Sequence, residues 1–185
     1  MADSYVSFGN FYSNEKKYDR AMEFFRKAIQ IYILKLGENH PMVAMSCGYL
    51  GSIYAVKYAN SEATLDKENL MEQAIEYFNR SLKIYLNAFG YYHPVIGDIY
   101  NRFADLYFNK TKYIEALTYY QKAILSLYRG FIDSTIYVNP VIHESFKSKK
   151  EREAFRKKIN SMPLLLDALV AKASVFERKW NISNK

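Results

Sequence analysis

The chain has 185 residues, half of them hydrophobic, with a formal net charge of +7 and a single cysteine. That length suffices for one domain with a sizeable core. Three things are excluded: a membrane-spanning helix, since no run approaches eighteen apolar residues; a secretory signal, since Met1-Ala2-Asp3-Ser4 opens without a basic and then apolar stretch; and an internal disulfide framework, given only Cys47.

Cytoplasmic residence is the resulting expectation. The positive charge is unevenly placed. Residues 1–128 hold 14 Lys+Arg against 13 Asp+Glu, whereas residues 129–185 hold 12 against 6.

Taken in chain order, the first segment carries Tyr5-x2-Phe8-Gly9-x2-Tyr12 followed by Ala21-x3-Phe25. The same pattern returns as Cys47-x2-Leu50-Gly51-x2-Tyr54 with Ala74-x3-Phe78. It returns again as Tyr100-x2-Phe103-Ala104-x2-Tyr107 with Ala116-x3-Tyr120. Large-small-large spacing at helical intervals, repeated at a fixed period, predicts an all-α helix-hairpin solenoid. Each repeat reads as helix A, a turn and helix B. In the first, helix A covers about residues 3–13 and helix B about 18–36. Within helix B, Ala21, Phe24, Phe25, Ala28, Ile31 and Tyr32 recur at intervals of three and four, the mark of a buried face. Gly9 and Gly51 fall mid-helix, where Gly costs about 1 kcal/mol relative to Ala. Close approach of helix A to helix B is the compensation, with Ala104 in the same role.

Gly9 to Gly51 is 42 residues and Gly51 to Ala104 is 53. Gly9 to Ala21 and Ala104 to Ala116 are both 12, but Gly51 to Ala74 is 23. Eleven residues are therefore inserted inside the second hairpin, near 58–67, as a surface loop or a short extension of the following helix. Between hairpins run Leu36-Gly37-Glu38-Asn39-His40-Pro41 and Phe89-Gly90-Tyr91-Tyr92-His93-Pro94. Gly ends one helix and Pro starts the next. The hairpins thus occupy about 3–41, 42–94 and 95–128. Residues 129–144 read as an extended connector. Residues 145–185 read as a basic helix followed, from Pro163, by an amphipathic capping or half-repeat helix with Leu166, Leu169, Val170, Ala173 and Phe176 on its apolar face.

These spacings resemble the tetratricopeptide repeat over roughly residues 3–128. The 42-residue period with Leu-Gly-x-x-His-Pro between hairpins is similar to the kinesin light chain type. The resemblance implies a right-handed superhelix whose A helices line a concave groove. By register that groove is formed by Val6, Asn10, Ser13, Met45, Tyr49, Ser52, Val56, Asn101, Arg102, Asp105 and Phe108, a mixture of apolar and hydrogen-bonding groups suited to a peptide or helix. The family's carboxylate clamp is not reproduced. Asn10 and Arg102 match it, but Val6, Tyr49 and Asp98 do not, and an acid at the last repels a carboxylate. In the tail, Tyr137-Val138-Asn139-Pro140, Pro163 to Leu169 and Ala171-Lys172-Ala173 resemble the segment that joins such repeats to caspase-like CHAT peptidase domains.

No glycine-rich phosphate loop, paired catalytic carboxylates or Ser-His constellation appears, so no enzyme, cofactor or metal is expected. His40 and His93 sit in equivalent turns and read as caps, since such turns do not bring three or four ligands to one point. Cys47 occupies a packing position. The expected function is a non-catalytic scaffold or adaptor binding a protein segment in the groove. Two alternatives remain open. One is a regulatory arm of a CHAT-type peptidase. The other is nucleic-acid association through Lys147, Lys149, Lys150, Arg152, Arg156, Lys157 and Lys158, which could neutralise phosphates. Oligomeric state is not legible.

Overall fold

The computed structural model describes residues 1–62, 64–127, 171–175 and 177. Among the described residues six α-helices follow one another before a further helical stretch at 171–175: α1 (Ala2–Asn14), α2 (Tyr18–Leu36), α3 (Pro41–Asn60), α4 (Thr64–Phe89), α5 (Pro94–Asn109) and α6 (Tyr113–Leu127). No strand occurs among the described residues. The fold is all-α, built of consecutive helix hairpins. The chain forms two compact units, Met1–Ala88 and Phe89–Lys185.

In the first unit α2 packs on both α1 and α3. It does so through Ala21, Met22, Phe25, Ala28, Ile29 and Tyr32, all buried. Burial of a ring the size of Phe25 or Phe78 contributes about 2–3 kcal/mol, and both are almost wholly enclosed. The two glycines make this possible. A Cβ on Gly9 would lie 2.6 Å from Phe25 Cε1, and one on Gly51 would lie 2.5 Å from Phe78 Cδ1. Helix A therefore approaches helix B as the pattern predicts. Phe24 is only half-buried, because it belongs to an aromatic seam along the hairpin. Its ring stacks on Tyr12 at 5.3 Å and meets Tyr5 at 6.0 Å and Phe8 at 5.4 Å.

In the second unit α5 packs on α6. Tyr119 takes the place of Phe24 and contacts Phe103 at 4.9 Å, Tyr107 at 5.2 Å and Tyr100 at 6.3 Å. In the second hairpin, where Cys47 and Leu50 replace two aromatics, the seam keeps the Tyr54–Tyr77 stack at 5.6 Å. A second set of small residues lies seven positions before the first: Ala2, Ala44 and Gly97, all buried. A Cβ on Gly97 would sit 2.6 Å from Leu127 Cγ.

The turns between hairpins follow the sequence. Gly37 and Gly90 adopt φ of 88° and 73°, where only glycine is unstrained. His40 Nδ1 then accepts the Met42 N–H at 3.2 Å, and His93 Nδ1 accepts the Val95 N–H at 3.3 Å. Both histidines are N-caps, satisfying donors that the helix leaves open.

The insertion is not a loop. The link between helices A and B is three residues in each hairpin: 15–17, 61–63 and 110–112. Four further residues lengthen the end of α3 and seven lengthen the start of α4, which accounts for all eleven.

Within the second unit the helical residues 171–175 dock on the third hairpin. Val175 joins the cluster of Ala104, Ala116, Leu117 and Tyr120, with Ala171 packed beside it. The expected apolar face included Ala173, but Ala173 is exposed and Lys172 is buried. The Lys172 ammonium donates to Gln121 Oε1 at 2.6 Å, also within the interior. Leu166, Leu169, Val170 and Phe176, the connector at 129–144 and the basic helix lie outside the described residues.

Candidate functional site

The expected groove residues fall on three A helices, and the structure gives each a different local role. On α1, Val6 is 8% exposed and so belongs to the core. Asn10 and Ser13 are half-buried. On α3, Met45 is half-buried, and Val56 is open at 39% exposure. Tyr49 stacks on Phe25 at 5.1 Å. The Ser52 hydroxyl donates to the Gly48 carbonyl at 3.0 Å, a local bond common for a serine inside a helix. Val6 thus contributes to the core and Tyr49 to packing between the first two hairpins, as well as lying in the predicted stripe.

On α5, Arg102 Nε donates to Asp98 Oδ2 at 2.9 Å, one helical turn away. The Asp105 carboxylate accepts a hydrogen bond from the Tyr120 hydroxyl. The surrounding protein raises the Asp105 carboxyl above the ordinary aspartate range, since desolvation outweighs the Tyr120 bond and Arg102. Phe108 is half-buried and packs at 5.7 Å from Tyr113. Asn101 differs from all of these. Its Oδ1 is buried and has no hydrogen-bond donor among the described residues. A buried acceptor left unpaired costs about 1–3 kcal/mol.

Several groups were not anticipated. Arg26 Nη2 donates to the Tyr54 hydroxyl at 2.8 Å, tying α2 to α3. The repeated lysines of helix B lie over the seam: Lys27 over Phe24 at 5.7 Å and Lys122 over Tyr119 at 4.8 Å. The sequence carried that signal, since a cation follows each seam aromatic by three residues. Cys47 is buried, and burial pushes its thiol up to about 11. Such a thiol is a packing group, since reactivity requires the thiolate. Among the described residues no three His, Cys, Asp or Glu side chains gather as metal ligands would. None of their helices is long and apolar enough to cross a membrane. The basic stretch Lys147, Lys149, Lys150, Arg152, Arg156, Lys157 and Lys158 lies outside the described residues.

Two family models of the tetratricopeptide repeat match the chain, over residues 1–41 and 63–124. Both matched spans end before the segment that resembles CHAT-linked proteins. Among solved structures the chain is similar to BtubC (BKLC) from P. vanneervenii, with a TM-score of 0.58 and 19% identity over 94% of this chain. At that identity the likeness is one of fold. The chain spans 63% of the length of that protein. Comparison with curated proteins found no match.

Proposed function

We propose, from the premise that this chain belongs to the tetratricopeptide repeat family, that it is a protein-interaction scaffold or adaptor. Repeats of this family generally mediate protein–protein interaction, and their domains are typically non-catalytic. The bound element is a peptide or helix of a partner, received by the exposed faces of the A helices. Residence in the cytoplasm belongs to the same proposal, supported by a lone cysteine held as a buried thiol.

The observation that carries the reading is Asn101. A scaffold that served only its own packing would gain stability by replacing an amide whose buried acceptor has no donor among the described residues. Asn101 is half-buried as a residue, and turning its carboxamide outward lets a partner's N–H reach Oδ1, which removes that cost on binding. Asn10, on α1, offers a second amide on a half-buried surface.

The test separates stability from binding. Asn101→Leu should leave the melting temperature unchanged or higher while cutting capture of the partner. Combining Asn10→Ala with Asn101→Leu should deepen the loss. Capture is measured by affinity purification and mass spectrometry, with helicity followed by circular dichroism. Unaltered capture by the well-folded double variant would sink the groove reading.

A further inference from the structure

The helical insertion builds a feature that the other two hairpins lack. α3 runs nine residues past Gly51, whereas α1 and α5 run five past Gly9 and Ala104. α4 starts ten residues before Ala74, whereas α2 and α6 start three before Ala21 and Ala116. At about 1.5 Å per residue, this is an overhang of roughly 6 Å on α3 and 10 Å on α4. Between the overhang and the first turn of α2 lies a cleft of about 400 Å³, lined by Tyr18, Lys57, Asn60, Ser61, Asp66, Asn69 and Leu70. That volume is within the range of small-ligand and side-chain sites.

The charges in this cleft do not cancel. Lys57 is engaged, its ammonium 2.7 Å from Asp19 Oδ1. Lys67, next to Asp66 in sequence, lies over the Tyr58 ring at 5.8 Å. Asp66 has no ion-pair partner among the described residues. It stands in the first turn of α4, where the helix dipole favours an anion. The remaining lining is neutral and capable of both donating and accepting. Asn60 and Asn69 carry carboxamides that can pair with a main-chain amide through one donor and one acceptor each. Tyr18 and Leu70 add an apolar wall against which the methylenes of a long side chain can lie.

We propose that this cleft binds a peptide segment through a basic side chain, with the cation at Asp66 and the adjoining main chain at Asn60 and Asn69. The proposal rests on the reading of the protein as a binder of protein segments, but it names a site at the lengthened end of α3 and start of α4, beyond the expected groove residues, and a charge that the groove does not specify. The inserted residues are then a specificity element: about three added turns of helix, two of them on α4, that place beside the start of α2 a carboxylate with no ion-pair partner among the described residues.

The experiment titrates acetyl-Gly-Arg-Gly-amide into the full-length ¹⁵N-labelled protein, with acetyl-Gly-Glu-Gly-amide as the charge-reversed control. Amide shifts should concentrate at Asn60, Ser61, Asp66 and Asn69 with the arginine peptide and be absent with the glutamate peptide. Asp66→Asn, a substitution of an exposed side chain, should weaken the arginine peptide about fivefold or more. Asn60→Ala with Asn69→Ala should weaken it without restoring the glutamate peptide. Asn101→Leu should leave this titration unchanged, so that failure of the groove and failure of the cleft are read separately. Equal shifts from both peptides, no shift at millimolar arginine peptide, or undiminished binding by Asp66→Asn would each overturn the proposal.

Discussion

The first and third hairpins close in one way, and the second closes in another. Glu15 N–H donates to the Phe11 carbonyl at 3.1 Å, Lys16 N–H to Ser13 at 3.0 Å and Lys17 N–H to Tyr12 at 2.9 Å. The third hairpin repeats the arrangement: Lys110 to Leu106 at 3.2 Å, Thr111 to Phe108 at 2.9 Å and Lys112 to Tyr107 at 2.9 Å. Both turns place their middle residue in the left-handed region, Lys16 at φ 57° and Thr111 at φ 59°. The second hairpin instead caps α3 with Ser61 in an extended conformation, φ −79° and ψ 138°. The link is equally short in all three. What differs is whether the chain turns tightly onto its own helix end or carries the helices on past it. A tight turn hides its carbonyls. The lengthened ends of the second hairpin instead line an open cleft with the side chains of Lys57, Asn60, Ser61, Asp66, Asn69 and Leu70.

The largest effect that tests this comparison lies in the position the three hairpins share. Gly51→Ala should destabilise by about 1–3 kcal/mol despite the better helix propensity of Ala. The new Cβ meets the enclosed Phe78 ring and also stands 3.3 Å from the Ala74 carbonyl. The third hairpin is built around an alanine, so Ala104→Gly should cost about 1 kcal/mol through lost propensity and packing. Urea unfolding of both variants measures the pair. A Gly51→Ala protein more stable than the parent would remove close approach as the reason for the glycine.

Much of this was readable in advance because each position appears three times. Gly9, Gly51 and Ala104 are recognisable as small residues within helices only by comparison with one another, and so are the His-Pro turns. The insertion was located, and the extension of the following helix was one of the two forms expected; the added turn on α3 was not. Asn60, Ser61 and Glu62 suit a loop, and nothing local shows that α3 continues as far as Asn60. Lys172 was hidden for the opposite reason. A lysine reads as surface, and its burial depends on Gln121 reaching it from α6. Ala173 was expected on the packed face, but the chain turns Lys172 and Val175 inward instead. The groove was the least legible part. Spacing places a residue on a helix face, but only the folded neighbours show that Val6 is enclosed, that Arg102 is held by Asp98 and that Asn101 Oδ1 is buried without a donor among the described residues.

The caps give a smaller and more uniform effect. His40→Ala should cost about 1 kcal/mol, and so should His93→Ala, since each loses one acceptor for a helix N-terminal donor. His40→Asn should retain most of the stability, because its carboxamide oxygen can accept the same bond. Thermal unfolding of the three variants distinguishes capping from simple packing. If Asn fails where His succeeds, the imidazole ring itself is needed, as the stacking of Phe89 on His93 at 4.4 Å would supply in the second unit.

The smallest effect returns to the tight turns. A residue with a Cβ in the left-handed region carries a cost of about 1–2 kcal/mol that glycine avoids. Thr111 is β-branched and bears more of it than Lys16. Its hydroxyl contact with the Lys110 carbonyl at 2.6 Å recovers only part of that cost. Thr111→Gly should therefore stabilise the protein by about 0.5–1 kcal/mol, net of the greater freedom glycine brings to the unfolded chain. Lys16→Gly should gain less. Ser61→Gly, in the extended linker of the second hairpin, should gain nothing and lose a few tenths of a kcal/mol to that same freedom. Chemical denaturation of the three single variants ranks them. A gain at Ser61 equal to that at Thr111 would mean that the second hairpin closes like its neighbours and that the overhang owes nothing to its turn.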